Sequence, residues 1–89
     1  MVIKFRERFD KDLDEISDKI VRNEILKVVE NVANASKPQD IRHLKKLKGD
    51  QSAYRIKIGR YRIGVYIVKN VVELTRVLPR NEIYRYFPK

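Results

Sequence analysis

The sequence predicts a single α+β domain in which an antiparallel β-meander packs on two helices. Apolar residues recur at helical spacing between positions 9 and 33, whereas in residues 54–66 they alternate with cations, as in a half-buried strand. A second apolar-rich run follows at residues 71–78. Because 89 residues allow one modest core, we expect residues 1–89 to form one domain.

The first half of the chain is predicted to contain a short strand and a helical hairpin. Residues 2–5 suit a strand, and the residues after them carry two apolar stripes with the period of a helix. Lys37-Pro38 ends the second pattern. The first stripe consists of Phe9, Leu13, Ile16 and Ile20, and the second of Val21, Ile25, Val28 and Val32.

The acidic residues of the first helix have two interpretations. Asp10, Asp12 and Asp14 have the spacing of the first three ligands of a calcium loop. However, Glu15 stands where that loop needs glycine, and Val21 stands where it needs the closing glutamate. We therefore interpret these carboxylates as a solvated helix face and expect no metal site.

Residues 39–53 are predicted to connect the helices to the sheet. They hold a few apolar anchors among basic side chains, and we expect the lysines Lys45, Lys46 and Lys48 to rim a basic surface. His43 is the one histidine of a chain that has no cysteine, so it is interpreted as a surface side chain. The lack of cysteine also excludes a disulfide framework and a thiolate nucleophile.

Residues 54–66 predict a β-hairpin with one cationic face. The Gly-Arg dipeptide at positions 59 and 60 suits a type II′ turn. This turn sets Lys57 opposite Arg62 and leaves Arg55 on the same face, while the apolar residues share the other face. Like charges that lie opposite each other destabilise a sheet, so this face points to an anionic partner.

The last predicted strand leaves one register open. After a turn at Lys69-Asn70, residues 71–78 form a strand that ends at Pro79. Uninterrupted pairing would place Arg76 opposite Ile63 on the apolar face, but a bulge or a longer loop would shift it. A short helix or tail is expected to follow, and the cationic face is expected to stay uncovered.

The basic residues are concentrated in the second half of the chain. Of the 21 lysines and arginines, 13 lie after residue 41, together with three of the 12 acidic residues. This asymmetry indicates a partner that is nucleic acid or another anionic surface. The sequence shows no apolar run of spanning length and no signal-peptide pattern, so we expect a cytoplasmic protein without a membrane partner.

Several segments of the second half resemble one known family, in the same order along the chain. They are Lys46–Gly49, Tyr54–Gly64, Arg76–Arg80, Ile83-Tyr84 and Phe87-Pro88. This set resembles toxins of the RelE/ParE superfamily from type II toxin-antitoxin systems. The resemblance implies a RelE-like fold and, as partner, a cognate RelB-like antitoxin that covers the cationic surface.

The superfamily has two branches with different targets. RelE-like members are endoribonucleases that cut mRNA in the ribosomal A site, whereas ParE-like members inhibit DNA gyrase. The RelE-like branch is favoured because its active-site cations are matched by Arg55, Lys57, Arg62 and Arg80. Its implied partners are mRNA and the ribosome with its rRNA. A gyrase inhibitor without nuclease activity and a catalytically inactive RNA-binding relative are the alternatives.

The resemblance implies attack of a ribose 2′-hydroxyl on the adjacent phosphodiester, without metal or cofactor. Lys57 is the candidate for proton transfer, because the neighbouring arginines disfavour its protonated form. Arg62 and Arg80 would stabilise charge on the phosphorane. Arg55 would position the phosphate, with Lys46 and Lys48 as further phosphate contacts.

A tyrosine near the carboxyl terminus also belongs to the implied site. Tyr84 follows Arg80 by four positions and Tyr86 follows it by six. Tyr84 is preferred because its spacing belongs to the Ile-Tyr motif, and Tyr86 is the alternative because its spacing matches the better-studied relative of the family. Either ring can stack on an unpaired RNA base.

Overall fold

A computed structural model describes residues 1–88 and confirms the predicted α+β class. A strand, two helices, an antiparallel meander and a short carboxyl-terminal helix follow one another as predicted. The strands are β1 (Val2–Phe5), β2 (Leu44–Lys46), β3 (Ala53–Ile58), β4 (Tyr61–Val68) and β5 (Val71–Pro79). The helices are α1 (Glu7–Asp14), α2 (Lys19–Asn34) and α3 (Ile83–Tyr86), with a 3₁₀ turn at Pro38–Asp40.

The sheet has five strands in the order β1-β5-β4-β3-β2, two more than the predicted meander. β1 pairs in parallel with β5, and β2 pairs antiparallel with β3 inside the segment 39–53, which the sequence predicts as a connection. Three residues are too few to show a recognisable alternation, and the parallel partner of β1 lies far away in sequence. Local patterns therefore predict neither pairing.

The β3–β4 hairpin has the predicted register. Lys57 pairs with Arg62, and Arg55 pairs with Gly64. Gly59 has a φ of 52°, as the first loop position of a type II′ turn requires. The apolar side chains of both strands face α1 and α2, so the cations lie on the opposite side, which we call the outer face.

A β-bulge decides the facing of Arg76. The pairing between β4 and β5 shifts by one residue between Gly64 and Val65. Thr75 is the extra residue, and it places Arg76 opposite Gly64 instead of Ile63. Arg76 therefore leaves the apolar stripe, which stays continuous across the sheet.

The two helices are confirmed, but the first is shorter than predicted. α1 ends at Asp14, so Ile16 is buried in the link between the helices, and Ile20 lies on α2 with 73% of its surface exposed. The break arises because the Asp18 carboxylate accepts hydrogen bonds from the backbone N–H groups of Ile20 and Val21 and begins a new helix. The apolar residues keep a helical spacing across the link between α1 and α2, so the sequence pattern does not reveal the break.

The main core lies between the two long helices and the inner face of the sheet. Phe9 of α1 and Ile25 and Val32 of α2 are fully buried there. The buried strand residues of this core are Ile56, Ile58, Ile63, Val65, Ile67, Val72, Leu74 and Val77. Among residues 1–88, no helix combines the length and the apolar character needed to cross a membrane.

Asp12 does not belong to a solvated helix face, in contrast to the prediction. Its carboxylate accepts hydrogen bonds from Arg76 Nε at 2.7 Å, from Arg76 Nη2 at 3.1 Å and from the Val77 N–H at 3.1 Å. Both charged side chains are only 9% exposed, whereas Asp10 and Asp14 remain exposed. The hydrogen bonds to Asp12 raise the pKa of Arg76 and tie α1 to the carboxyl-terminal part of β5.

The outer face is partly covered, although the sequence predicts it to be open. Ile83 and Phe87 are buried against Ala53 in a second, smaller apolar cluster. Gly64 makes room for this cover, because a Cβ at that position would lie 2.5 Å from two carbons of the Phe87 ring. The apolar residues that complete the cluster are Leu47, Tyr66 and Leu78.

Replacing Gly64 with alanine is expected to displace the Phe87 ring and to lower the free energy of unfolding by about 1 to 3 kcal/mol, a typical cost of overpacking. Urea denaturation measures the change. In a Phe87→Ala background the new methyl group has room, so the same substitution should cost clearly less there. Equal costs in both backgrounds would show that the ring does not occupy the space that Gly64 leaves.

Candidate active site

The outer face holds an open recess of about 350 Å³ beside α3. We call it the cationic recess, because among the described residues that line it four are cations and none is a carboxylate. Strands β2, β3 and β4 supply one wall, and the segment after β5 supplies the other. The lining residues are Lys45, Leu47, Arg55, Arg62, Arg80, Asn81 and Tyr84.

Backbone carbonyls hold the two strand arginines of the recess. The Nη1 group of Arg55 donates to the carbonyl of His43 at 2.9 Å. The Nη1 group of Arg62 donates to the carbonyls of Gly59 and Tyr61, both at 2.9 Å. These bonds restrict each side chain, while the other guanidinium N–H groups can bind the oxygens of a phosphate.

Arg80 connects the recess to a neighbouring groove. Its backbone N–H donates to the carbonyl of Arg60 at 2.8 Å, which fixes the chain leaving β5 against the turn of the hairpin. Arg80 and Asn81 line both the recess and the groove, whereas Lys57 lines only the groove. Lys57 still lies on the outer face, directly across the ladder from Arg62.

The two candidate tyrosines occupy different places. Tyr84 lines the cationic recess and is 56% exposed. Tyr86 lies outside the recess, where its ring stacks on Arg76 with 4.9 Å between the guanidinium carbon and the ring centroid. The geometry therefore brings Tyr84 together with Arg55 and Arg62, and it does not bring Tyr86 there.

The structure places the predicted lysines Lys46 and Lys48 away from the recess. Lys46 pairs with Tyr54 in the β2–β3 ladder and lies 5.4 Å from the centroid of that ring, on the inner side of the sheet. Lys48 lines a separate depression formed by residues 46–51. Lys45, which pairs with Arg55, faces the recess instead.

The sequence predicts Lys45 at the rim of a basic surface but does not place it beside Arg55, and it does not predict Leu47 or Asn81 as lining residues. The signal for Lys45 was the alternation of side chains along β2. Only a strand at residues 44–46 places Lys45 on the same face of the sheet as Arg55. Asn81 carried a weaker signal, namely its position directly after Arg80. A loop has no regular alternation of side chains, so the prediction of a loop at residues 39–53 gave no reason to place Lys45 on either face of the sheet.

Comparison with known proteins identifies the family. The sequence model of one protein family, the ParE toxin of the type II toxin-antitoxin system parDE, matches residues 3–84 of this chain. The chain belongs to this toxin family. The toxin is 37% identical to Toxin RelE3 of Methanocaldococcus jannaschii over 89 residues, which is 99% of this chain and 100% of that protein.

Solved structures of relatives confirm the RelE-like fold. The toxin matches the crystal structure of the RelB-RelE antitoxin-toxin complex from Methanococcus jannaschii with a TM-score of 0.81 and 34% identity, covering 96% of this chain and 99% of that one. It matches the intact E. coli RelBE complex with a TM-score of 0.66 and 25% identity, covering 85% and 92%. The toxin is therefore RelE-like, as the resemblance implied.

The recess of this toxin has the properties of a site for a phosphodiester. Four cations converge there, two of them held by backbone carbonyls, and none of the described residues that line the recess is a carboxylate, so the recess attracts an anion. The Tyr84 ring and the Leu47 side chain add apolar surface beside the charges, on which an unpaired base can pack. Together they suit a single-stranded nucleic acid better than a small inorganic anion.

Proposed function

We propose that this toxin is an endoribonuclease that cleaves mRNA in the ribosomal A site and thereby inhibits translation. The observation that carries the proposal is the convergence of Arg55, Arg62, Arg80 and Tyr84 on one recess, with Lys57 across the ladder from Arg62. The RelE-like relatives support the same assignment.

The proposed reaction is transesterification within the RNA. Lys57 takes the proton of the 2′-hydroxyl, whose oxygen attacks the adjacent phosphorus while the bond to the 5′-oxygen breaks. Arg62 and Arg80 stabilise the charge of the phosphorane and assist the leaving 5′-oxygen, which takes a proton from water, while Lys57 afterwards returns its proton to the solvent. The products are a 2′,3′-cyclic phosphate and a 5′-hydroxyl.

The remaining roles concern binding. Arg55 positions the phosphate, and Tyr84 stacks on a base and orients the 2′-hydroxyl. Side chains supply the proton transfer and the positive charge, so the proposed reaction uses no metal ion and no cofactor. Lys46 and Lys48 remain proposed contacts to RNA, including rRNA, outside the recess.

We further propose a RelB-like antitoxin as the cognate partner and the cytoplasm as the site of action. The relatives from Methanococcus jannaschii and E. coli are found in complexes with RelB. An acidic segment would complement the basic half of this chain and could fold on binding. Such a partner would cover the proposed active site and keep the toxin inactive.

Induced expression of Lys57→Ala and Arg80→Ala beside the wild type tests the function. Growth is the first measurement, and primer extension on translated messages maps cut ends. The wild type is expected to arrest growth and to cut within reading frames, and both variants are expected to lose the cuts, because each lacks a group that acts in the transition state. Lys37→Ala removes an exposed lysine from the helical half and should keep them.

The match to the ParE toxin family also favours the alternative that the resemblance implies, a DNA gyrase inhibitor without nuclease activity. That function predicts arrest without cuts in mRNA, and no dependence on Lys57 or Arg80. Growth arrest that neither substitution changes would therefore favour gyrase as the target. RNA binding without arrest and without cuts would instead indicate an inactive relative.

A further inference from the structure

We infer that Tyr86 and Arg76 are positioning residues: the stack of Tyr86 on Arg76, which Asp12 holds in place, sets the orientation of α3 and so places Tyr84 in the cationic recess. The inference rests on the proposed function, because it assigns Tyr84 a task in the cleavage site. It also separates the two tyrosines that the sequence leaves as alternatives.

Helix α3 cannot hold its own orientation. It has four residues, which is a single turn, and isolated helices shorter than about 12 residues are unstable in water. Ile83 and Phe87 anchor it to the sheet through buried side chains. These two side chains limit translation of the helix. They restrict rotation of the helix about the line that joins them far less.

The two tyrosines lie on opposite sides of the buried anchor. Successive residues of a helix are about 100° apart, so Tyr84 and Tyr86 lie about 100° to one side and about 60° to the other side of Ile83. Rotation of α3 that separates Tyr86 from Arg76 therefore also moves Tyr84. A contact of Tyr86 on one flank thus controls the position of Tyr84 on the other.

Arg76 is suited to act as the fixed side of this contact. Its guanidinium makes two hydrogen bonds to Asp12 in its own plane, at 2.7 and 3.1 Å, and it is 7% exposed. The face of the guanidinium stays available to the ring of Tyr86, which lies 4.9 Å away. Tyr86 is 41% exposed, so a change there leaves both cores intact.

The test compares Tyr86→Leu with Tyr86→Phe in single-turnover cleavage of mRNA on programmed ribosomes. Tyr86→Leu removes the aromatic stack, and we expect the maximal rate to fall by about 10-fold to 100-fold, as misplacement of a reacting group does. The toxin concentration that gives half-maximal rate should rise far less than the rate falls, since Arg55 and Arg62 are intact and only the stacking of Tyr84 on a base is weakened. Tyr86→Phe keeps the stack and should cleave within about 3-fold of the wild-type rate.

The other outcomes each overturn one assignment. A wild-type rate in Tyr86→Leu would refute the positioning role. A loss in Tyr86→Phe as large as in Tyr86→Leu would show that the hydroxyl of Tyr86 acts itself. If Tyr86→Leu lost affinity to the same extent as rate, and lost thermal stability as well, the cause would be general destabilisation. That result would also refute the inference.

Hydrogen exchange distinguishes failure of this inference from failure of the proposed function. The Phe87 N–H donates to the Ile83 carbonyl at 2.9 Å and reports directly on α3. Its exchange should be faster in Tyr86→Leu than in Tyr86→Phe, whether or not RNA is cleaved. No cleavage by the wild type would refute the function alone, whereas equal exchange in the two variants would refute the anchoring of α3.

Discussion

Replacing Asp12 with alanine is expected to lower the free energy of unfolding by about 3 to 5 kcal/mol, the usual cost of removing one partner from a buried ion pair. The substitution leaves the Arg76 guanidinium buried without its carboxylate, and the Val77 N–H loses its acceptor as well. α1 also loses its polar link to β5. The change is measured by urea denaturation of the purified protein.

Two further variants separate charge from packing in this pair. Asp10→Ala removes an exposed carboxylate from the same helix and should change the stability little. Asp12→Leu combined with Arg76→Met replaces both charges with apolar groups and should recover much of the loss. A small effect of Asp12→Ala, close to that of Asp10→Ala, would contradict a structural role for the pair.

Replacing Arg62 with alanine is expected to reduce mRNA cleavage by about 100-fold to 1000-fold, as loss of one charge-stabilising donor does in other active sites. The stability should rise slightly or stay the same, because the like-charged pair with Lys57 is relieved while two hydrogen bonds to the carbonyls of Gly59 and Tyr61 are lost. Single-turnover cleavage and thermal unfolding of the same preparation give the two values.

Two matched substitutions complete this test. Arg62→Lys keeps the charge without the planar fork and should recover only part of the rate. Arg8→Ala removes an exposed arginine from α1, remote from the outer face, and should cleave at the wild-type rate. Loss of activity that merely followed loss of stability across these variants would argue against a direct role of Arg62 in the reaction.

The contrast between these two residues shows how stability and function divide the charges of this fold. The cation Arg76 is neutralised by a carboxylate and buried, and it holds elements together. Among the described residues that line the recess, no carboxylate accompanies the cations, and Lys57 and Arg62 repel each other across the ladder. Such an arrangement costs stability in the free protein and favours an anionic substrate.

The sequence by itself determined the features that depend on neighbouring residues. The alternation of residues 54–66 and the Gly59-Arg60 turn specified the hairpin register, and with it the common face of Arg55, Lys57 and Arg62. The same segments carried the resemblance to the toxin family that the comparisons confirm. Strand alternation and turn chemistry act over a few residues, so a single sequence is sufficient to read them.

Only the tertiary structure decided the features that join distant segments. The parallel β1–β5 pairing, the β2 strand that turns Lys45 toward the recess, and the Asp12–Arg76 pair each join positions between 10 and 70 residues apart. The bulge after Leu74 set the facing of Arg76, and the packing of Phe87 over Gly64 placed α3 on the outer face, where Tyr84 lines the recess. These features depend on which surfaces pack together once the core has formed, and no local periodicity of the sequence encodes that packing.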